Sequence, residues 1–345
     1  MLASRIIDFV RGEGDRDFDS LAAEAFALHF EKSPPFRRLA EAAAVTPETI
    51  GSWRDIPMIP TLAFKTQTLA IDEPREVFRS SGTTNPTPSV HHHPYPDLYR
   101  AVIDATFPQA LLDGLDSPPM LSLVPSRELA PDSSLAFMLD HAMERWGGPG
   151  SQSVIGPAGI RATDVRGFLA ARQRDGRPSL VLSTAFSLVQ FLDVLDRLKL
   201  SFRLPQGSRI FETGGYKGRS RELSRDQMIG LVQERLGVGS AMVIREYGMT
   251  ELTSHFYSHS QSDLKDRFTP PAWVRFRVLD PATLEEATPG EPGLLAVCDL
   301  ANVGSALHVL TEDLAIENEG AFRLVGRASG AELRGCSLLS EELAG

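Results

Sequence analysis

The sequence predicts an α/β protein with a large body followed by a β-rich subdomain. Two patterns carry that expectation. Up to residue 272, short apolar strand segments alternate with segments of helical spacing, the arrangement of a sheet covered by helices. After Trp273 the helical spacing stops, and apolar runs over 274–280, 293–300 and 306–316 follow one another across turn residues such as Pro289-Gly290-Glu291-Pro292-Gly293. The reading divides the chain into a body over 1–272, a β-rich subdomain over 273–325 and a short tail over 326–345, without an internal repeat.

The elements follow in chain order. Residues 18–45 read as helical, with Leu21, Ala25, Leu28, Phe36, Leu39 and Ala43 at helix spacing and Pro34-Pro35 as a break. Thr46-Pro47-Glu48 reads as the start of a further helix, with Pro at its first position. IPMIPTLAFK, residues 56–65, reads as extended. Val77-Phe78-Arg79 reads as a short strand entering a Ser/Gly/Thr loop, with His91-His92-His93 placed in that loop. Helix spacing returns over 95–112. Leu121–Val124, Leu180–Ser183, Ile210-Phe211 and Met242–Arg245 read as strands. Helices are expected over 134–146, from Ser183 through Leu198, and over 224–236.

Composition narrows the function classes. The chain has 345 residues, 42% hydrophobic and 23% charged. That excludes a disordered tail, a collagen-like repeat and a small disulfide scaffold. The formal charge of −10 argues against nucleic-acid binding through a basic surface. Cys298 and Cys336 are the cysteines, too few for a disulfide framework. The N-terminal MLASRIIDFVRGEGDRDF meets charge too early for a secretion signal. The most apolar window, residues 180–195, is interrupted by polar side chains and is too short to span a bilayer. A cytoplasmic location is expected.

Four short motifs are candidates for chemistry. Ser80-Ser81-Gly82-Thr83-Thr84 follows a strand and offers amide and hydroxyl donors to phosphate, although such a loop is also an ordinary turn. Gly214-Gly215-Tyr216 ends a strand where paired glycines let backbone approach a flat ligand and a ring can stack on it; a tight loop with a half-exposed Tyr reads the same way. Tyr247-Gly248-Met249-Thr250-Glu251 closes another strand at the end where open α/β sheets place ligands, and Glu251 offers hard oxygen to Mg2+. Thr311-Glu312-Asp313 with Gly326-Arg327 supplies a carboxylate and a guanidinium that suit a ribose and a phosphate, or a solvated surface pair.

In this order, the four motifs resemble the adenylate-forming superfamily of acyl-CoA synthetases. IPMIPTLAFK, VFRSSGTT, ETGGYKGRSRE, EYGMTELTSHFY, CDLANVGSALHVLTEDLA and GRASGAELRGCS look like the acyl-protein synthetase (LuxE) family across roughly residues 50–337. The resemblance implies an adenylate-forming body and two half-reactions. A carboxylic acid, expected to be fatty, attacks the α-phosphate of ATP with Mg2+ to give acyl-AMP; a thiol then takes the acyl group for delivery to a partner acyl reductase. By motif match Ser80, Ser81, Gly82, Thr83 and Thr84 cradle phosphates. Gly214, Gly215 and Tyr216 frame adenine, and Tyr247, Gly248, Met249 and Thr250 line the acyl-adenylate site. Glu251 holds magnesium, Asp313 holds ribose, and Arg327 sits beside ribose or phosphate. The resemblance also places the acyl acceptor near the C-terminus, where Cys336 stands with Arg334 to favour its thiolate. Cys298, inside an apolar strand, is assigned to packing.

Two departures accompany the resemblance. Asn85 and Ser89 stand near the places of the superfamily's loop Gly and Lys, and the large mobile C-terminal domain is expected to be lacking. An acyl- or aryl-CoA ligase of the phenylacetate type, with Cys336 incidental, is the alternative; a catalytically weak nucleotide-binding subunit is a third reading. Three adjacent His point in different directions, so one metal rarely takes all of them; one of them is a candidate substrate contact. His255 is read equally as an acyl-pocket residue or a packed one.

Overall fold

The computed structural model describes residues 1–14, 16–80, 87–214, 223–258 and 266–328. The chain packs as two compact units. The first gathers 1–105, 249–256 and the described residues from Arg267 onward, and the second 106–248 with 257, 258 and 266.

In the first unit, helices α1 (Leu2–Val10), α2 (Phe18–Lys32) and α3 (Pro34–Ala42) lead the chain. Pro34 and Pro35 form the first turn of α3, where a missing N–H leaves no bond unmade. The Phe26 and Phe36 rings meet edge to face at 5.6 Å, joining α2 to α3. The helix expected after Thr46 is absent. Thr46 closes a turn on itself instead, its hydroxyl donating to Glu48 at 2.7 Å and its carbonyl accepting from the Thr49 amide at 3.0 Å.

Strand β1 (Ile59–Pro60) occupies only two residues of the stretch read as extended, because Thr61–Lys65 turns into a 3-10 helix. Strands β2 (Glu76–Arg79) and β3 (Val90–His93) form an antiparallel hairpin with Phe78 opposite His91. The three histidines are therefore strand residues, a correction to the loop expected from the sequence. Alternation sends His91 and His93 to one face, where both are buried. Helix α4 (Pro96–Phe107) follows.

The β-rich segment contributes β12 (Val274–Leu279), β13 (Gly293–Asp299), β14 (His308–Asn318) and β15 (Ala321–Arg327). With β1 they make a five-stranded sheet in the order β1-β14-β13-β12, β15 pairing the far part of β14. All of these pairs are antiparallel except β1 with β14. Every residue of β13 is buried, as a run of Leu, Val and Ala without polar alternation implies. Cys298 lies in it fully buried, its thiol pushed well above its ordinary pKa by desolvation. Phe322 of β15 packs against Phe256, Phe268 and Phe276 at 5.3, 5.5 and 5.2 Å.

The second unit is a doubly wound segment with β4 (Met120–Ser122), α5 (Ser134–Trp146), β5 (Gln152–Ser153), the small hairpin β6 (Ile155–Gly156) and β7 (Gly159–Ile160), α6 (Ala162–Asp175), β8 (Leu180–Thr184), α7 (Ala185–Arg197), β9 (Arg209–Thr213), α8 (Arg225–Leu236), β10 (Val243–Tyr247) and β11 (Phe256–Tyr257). The sheet order is β11-β10-β9-β8-β4-β5. Pairs β10–β9, β9–β8, β8–β4 and β4–β5 are parallel, so these strands end on the same side. Leu121, Val181, Phe191, Ile210 and Val243 belong to its fully or nearly fully buried core. Helix α8 begins at a capping box in which the Gln227 amide donates to Ser224 Oγ at 3.2 Å and the Ser224 amide to Gln227 Oε1 at 2.9 Å. It ends at Gly237, whose φ of 72° is the left-handed cap that glycine adopts freely.

Candidate active site

In the first unit the geometry builds outward from the β2–β3 hairpin. The Ser80 amide donates to the Ser89 carbonyl at 3.0 Å, and the Ser89 amide donates to Ser80 Oγ at 2.9 Å. This pair of hydrogen bonds joins Ser80 to Ser89 at the end of the hairpin. The Ser89 hydroxyl then donates to the Glu251 carboxylate. Both residues are buried. Burial pushes the Glu251 carboxyl above its ordinary pKa, while the Ser89 hydrogen bond and the charge of Arg327 oppose that shift and Asp313 adds to it. Asp313 and Arg327 face each other across β14 and β15, with Arg327 Nε donating to Asp313 Oδ1 at 3.1 Å. Asp313 is largely covered and Arg327 is exposed.

The backbone around Glu251 is held from beneath. His91 Nδ1 bonds the Thr250 carbonyl at 2.7 Å. Asn302 Nδ2 donates to the Glu251 carbonyl at 3.0 Å and to the Ala306 carbonyl at 2.7 Å, and its Oδ1 accepts from Thr253 Oγ1 at 2.7 Å. His93 Nε2 lies 2.9 Å from the same Thr253 oxygen. Asp299, fully buried, accepts from the Ser254 amide and hydroxyl at 2.7 and 2.8 Å. Burial holds His91 down to about 4 and His255 to about 3, so both are neutral imidazoles near neutral pH.

In the second unit, parallel strands β9 and β10 bring Thr213 beside Glu246 at their C-terminal ends. Thr213 Oγ1 donates to Glu246 Oε2. Glu246 is fully buried and its pKa rises to about 7, chiefly by desolvation and further by the neighbouring Glu212 charge. Glu212, also buried, is raised by desolvation, with Arg245 and Arg225 opposing. Arg225, at the start of α8, reaches Glu212 at 3.4 Å and Asp266 at 2.5 Å. Gly214 follows Thr213 with φ of 72° and open space where a Cβ would sit. Tyr247 closes β10 with its ring mostly buried.

The residues expected from the sequence therefore fall into three groups. Ser80, Thr250, Glu251, Asp313 and Arg327 all lie in the first unit; Ser89 joins Ser80 to Glu251, and the charges of Arg327 and Asp313 act on Glu251. Met249 belongs to the same turn, its carbonyl accepting from the Leu252 amide at 3.2 Å. Gly214, Tyr247 and Gly248 lie at strand ends in the second unit. Ser81, Gly82, Thr83, Thr84, Gly215, Tyr216 and Cys336 lie outside the described residues. Asn302, Thr213 and Glu246 make the contacts just described and had no expected role; Ser89 was noted only near the place of a superfamily Lys, and His91 only as one of three candidate substrate contacts, whereas here it bonds the Thr250 carbonyl. Asn302 stands inside the CDLANVGSALHVLTEDLA stretch, and Thr213 and Glu246 each precede a motif by one residue. Their signal is a polar residue at the edge of a motif, which no spacing rule singles out.

The donor set bears on a divalent cation. Mg2+ takes one or two protein carboxylates and fills its shell with phosphate oxygens and water. Glu251 suits that role, since it is a buried carboxylate beside a hydroxyl, with its negative charge only partly offset. Among the described residues no group of three His, Cys, Asp or Glu side chains is placed to hold a metal. The residues present thus fit a cation brought in with a phosphate ligand.

Comparison with known proteins follows the same line. The profile of the family described as "Acyl-protein synthetase, LuxE" matches residues 171–344, half of the chain. The long-chain-fatty-acid–luciferin-component ligase of Vibrio harveyi is 24% identical over 339 residues, covering 92% of this chain and 85% of that one. The ligase of the same name from Aliivibrio fischeri is 26% identical over 140 residues, 37% of this chain and 36% of its own. Among solved structures, an open conformation of 2-hydroxyisobutyryl-CoA ligase in complex with 2-HIB-AMP and CoA aligns with a TM-score of 0.64 at 15% identity, over 90% of this chain and 74% of that one. ATP-bound MatB from Rhodopseudomonas palustris aligns with a TM-score of 0.51 at 14% identity, over 81% and 53%. At those identities the likeness concerns the fold, which is that of adenylate-forming ligases. The chain belongs to the acyl-protein synthetase LuxE family and is a ligase with that fold.

Proposed function

We propose that this chain activates a long-chain carboxylic acid with ATP and passes the acyl group to its own Cys336 for delivery to a partner acyl reductase. The observation that carries the reading is the meeting of Ser80, Ser89, Glu251, Asp313 and Arg327 in one unit. Three motifs remote in sequence place hydroxyls, a buried carboxylate, a ribose-type acceptor and a guanidinium together.

In the first half-reaction the carboxylate oxygen attacks the α-phosphorus and the bond to pyrophosphate breaks, giving acyl-AMP. The free acid would have to expel oxide; the adenylate expels AMP, a far better leaving group. Catalysis here is positioning and charge neutralisation. By motif match Ser80, Ser81, Gly82, Thr83 and Thr84 contribute hydroxyl and amide donors, Asp313 accepts from ribose hydroxyls, and Arg327 offers a cation to the same end of the nucleotide. Gly214 and Tyr247 are, by motif match alone, the candidates for contacts to the base and the acyl group. Glu251 would hold Mg2+, which when bound supplies positive charge against the phosphate oxygens. In the second half-reaction the Cys336 thiolate attacks the acyl carbonyl, AMP leaves, and a thioester forms. Arg334 beside Cys336 favours that thiolate.

The test incubates the protein with ATP, Mg2+ and radiolabelled fatty acids of several lengths. The expected result is pyrophosphate release together with hydroxylamine-labile label on the protein. Cys336→Ser should lose the label and keep pyrophosphate release, and Glu251→Gln should lose both at millimolar Mg2+. Label appearing only on added CoA would replace the cysteine step with a CoA ligase reaction. ATP binding without pyrophosphate release for any acid would overturn enzymatic activation altogether.

A further inference from the structure

The turn that carries Glu251 is anchored more elaborately than its fold requires. Two consecutive carbonyls, those of Thr250 and Glu251, are bonded by side chains from opposite directions in sequence. One is His91, in the strand that leaves the Ser/Thr segment. The other is Asn302, in the short 3-10 helix that follows β13. Thr253 joins the two systems, its hydroxyl donating to Asn302 while lying against His93.

Here His91 Nε2 and His93 Nδ1 are buried with no hydrogen-bond partner among the described residues. Both rings also sit against aromatic neighbours, His91 at 5.6 Å from Phe64 and His93 at 6.0 Å from Phe78, so neither can swing away. With Nδ1 facing a carbonyl, His91 must carry its proton there. It acts as a donor locked by packing and directed at the residue before Glu251.

The residue just before that strand reaches the carboxylate itself. Ser89, two residues before His91, donates its hydroxyl to Glu251. The side chain and the backbone of the Glu251 turn are thus both fastened to the hairpin that bounds the Ser/Thr segment.

We propose that His91 and Asn302 are positioning residues which, by holding the carbonyls of Thr250 and Glu251, aim the Glu251 carboxylate for its divalent cation. The inference rests on the reading of Glu251 given above. Groups that orient a metal-binding carboxylate change metal affinity about 10- to 100-fold when removed, and that is the effect expected here.

The experiment measures Mn2+ affinity by water-proton relaxation in the full chain bound to a non-hydrolysable ATP analogue. His91→Leu removes the donor. His91→Asn keeps an N–H near the Nδ1 position. Asn302→Ala removes the second donor without steric conflict and supplies the comparison if His91→Leu does not fold. Tm and affinity for the analogue without metal are measured for each. The expected result is Mn2+ binding weakened about 10- to 100-fold in His91→Leu and Asn302→Ala, restored towards wild type in His91→Asn, with metal-free analogue binding unchanged. Mn2+ affinity that is unaltered in the donor-less variants, or that His91→Asn fails to restore, overturns the proposal while the Glu251 reading stands. If the wild-type complex binds no Mn2+, the Glu251 reading falls and the proposal falls with it.

Discussion

Replacing Glu246 with Gln should make the protein more stable at alkaline pH and alter its pH dependence in a defined direction. Glu246 is fully buried at the end of β10, and burial raises its pKa from 4.5 to about 7. The sign follows from proton binding. Below pH 4.5 the folded and unfolded chains both hold the proton, so the group contributes no pH dependence. Between 4.5 and about 7 the unfolded chain releases it while the folded chain keeps it, so stability falls as pH rises. Above about 7 the loss is complete. Each tenfold change in proton affinity is worth about 1.4 kcal/mol, so the full loss is about 3 kcal/mol. Gln has nothing to titrate and presents a carbonyl oxygen to the Thr213 hydroxyl, which now donates to Glu246 Oε2.

The assay is urea unfolding of wild type and Glu246→Gln at pH 5 and pH 8, comparing the difference between the two proteins. Other titrating groups contribute to both curves and largely cancel. Any change in the Thr213 hydrogen bond adds an offset that does not vary with pH. The difference should move by about 2–3 kcal/mol in favour of the variant from pH 5 to pH 8. Parallel curves, or a shift towards wild type, would show that Glu246 is ionised in the folded protein. The desolvation argument would then be refuted.

Two further outcomes follow from the same packing. His29 and His308, buried and bonded to the Val303 and Ile56 carbonyls at 2.7 and 2.9 Å, are both lowered to about 4 by desolvation. Their folded pKa lies below the unfolded 6.5, so the stability they contribute is present above pH 6.5 and is lost as the pH falls towards 4; unfolding at pH 5.5 should take up protons, and replacing both with Gln should reduce that uptake by up to two protons in calorimetry run in buffers of different ionisation enthalpy. Phe322→Ala should lower the unfolding free energy by about 3–5 kcal/mol in urea titration, since the ring is fully buried against three other phenylalanines; a loss below about 1 kcal/mol would mean that the cluster refills.

What the sequence made legible was what short-range physics decides. Helix α5 spans Ser134–Trp146, the range its spacing predicts, because the apolar face is regular and Ser133 caps it by accepting from the Ala136 amide at 3.2 Å. Helix α6 was not foreseen. Its buried Val165, Phe168 and Leu169 are spread among arginines, aspartates and Gly167, and one of its buried side chains is Arg172, covered over Phe168. Composition there is polar, while tertiary packing makes the element. Strand β3 was read as loop because Pro94 and Pro96 follow its histidines, yet pairing with β2 supplies the order that propensity withholds. Strand β15 likewise exists by pairing with β14.

The candidate site divides in the same way. Glu251 and Asp313 could be named as candidates because a carboxylate suits Mg2+ or a ribose. The hydrogen bonds made by Ser89, His91, Asn302 and Glu246 could not be foreseen, since each has a partner distant in sequence. His91 reaches a carbonyl 159 residues away, and Asn302 reaches one 51 residues away. A residue of this kind is defined by the fold that brings its partner to it, so a sequence pattern records only that something polar stands there. Folding places these groups where water cannot compensate them, and their hydrogen bonds then become the means by which one motif constrains another. The β2–β3 hairpin shows the consequence. It carries the Ser/Thr segment, it holds the Glu251 carboxylate through Ser89, and it holds the Thr250 carbonyl through His91. On the reading proposed above, Ser80→Ala, which removes the hydroxyl that accepts from the Ser89 amide at 2.9 Å, should weaken Mn2+ binding to the complex with the ATP analogue, as water-proton relaxation would show.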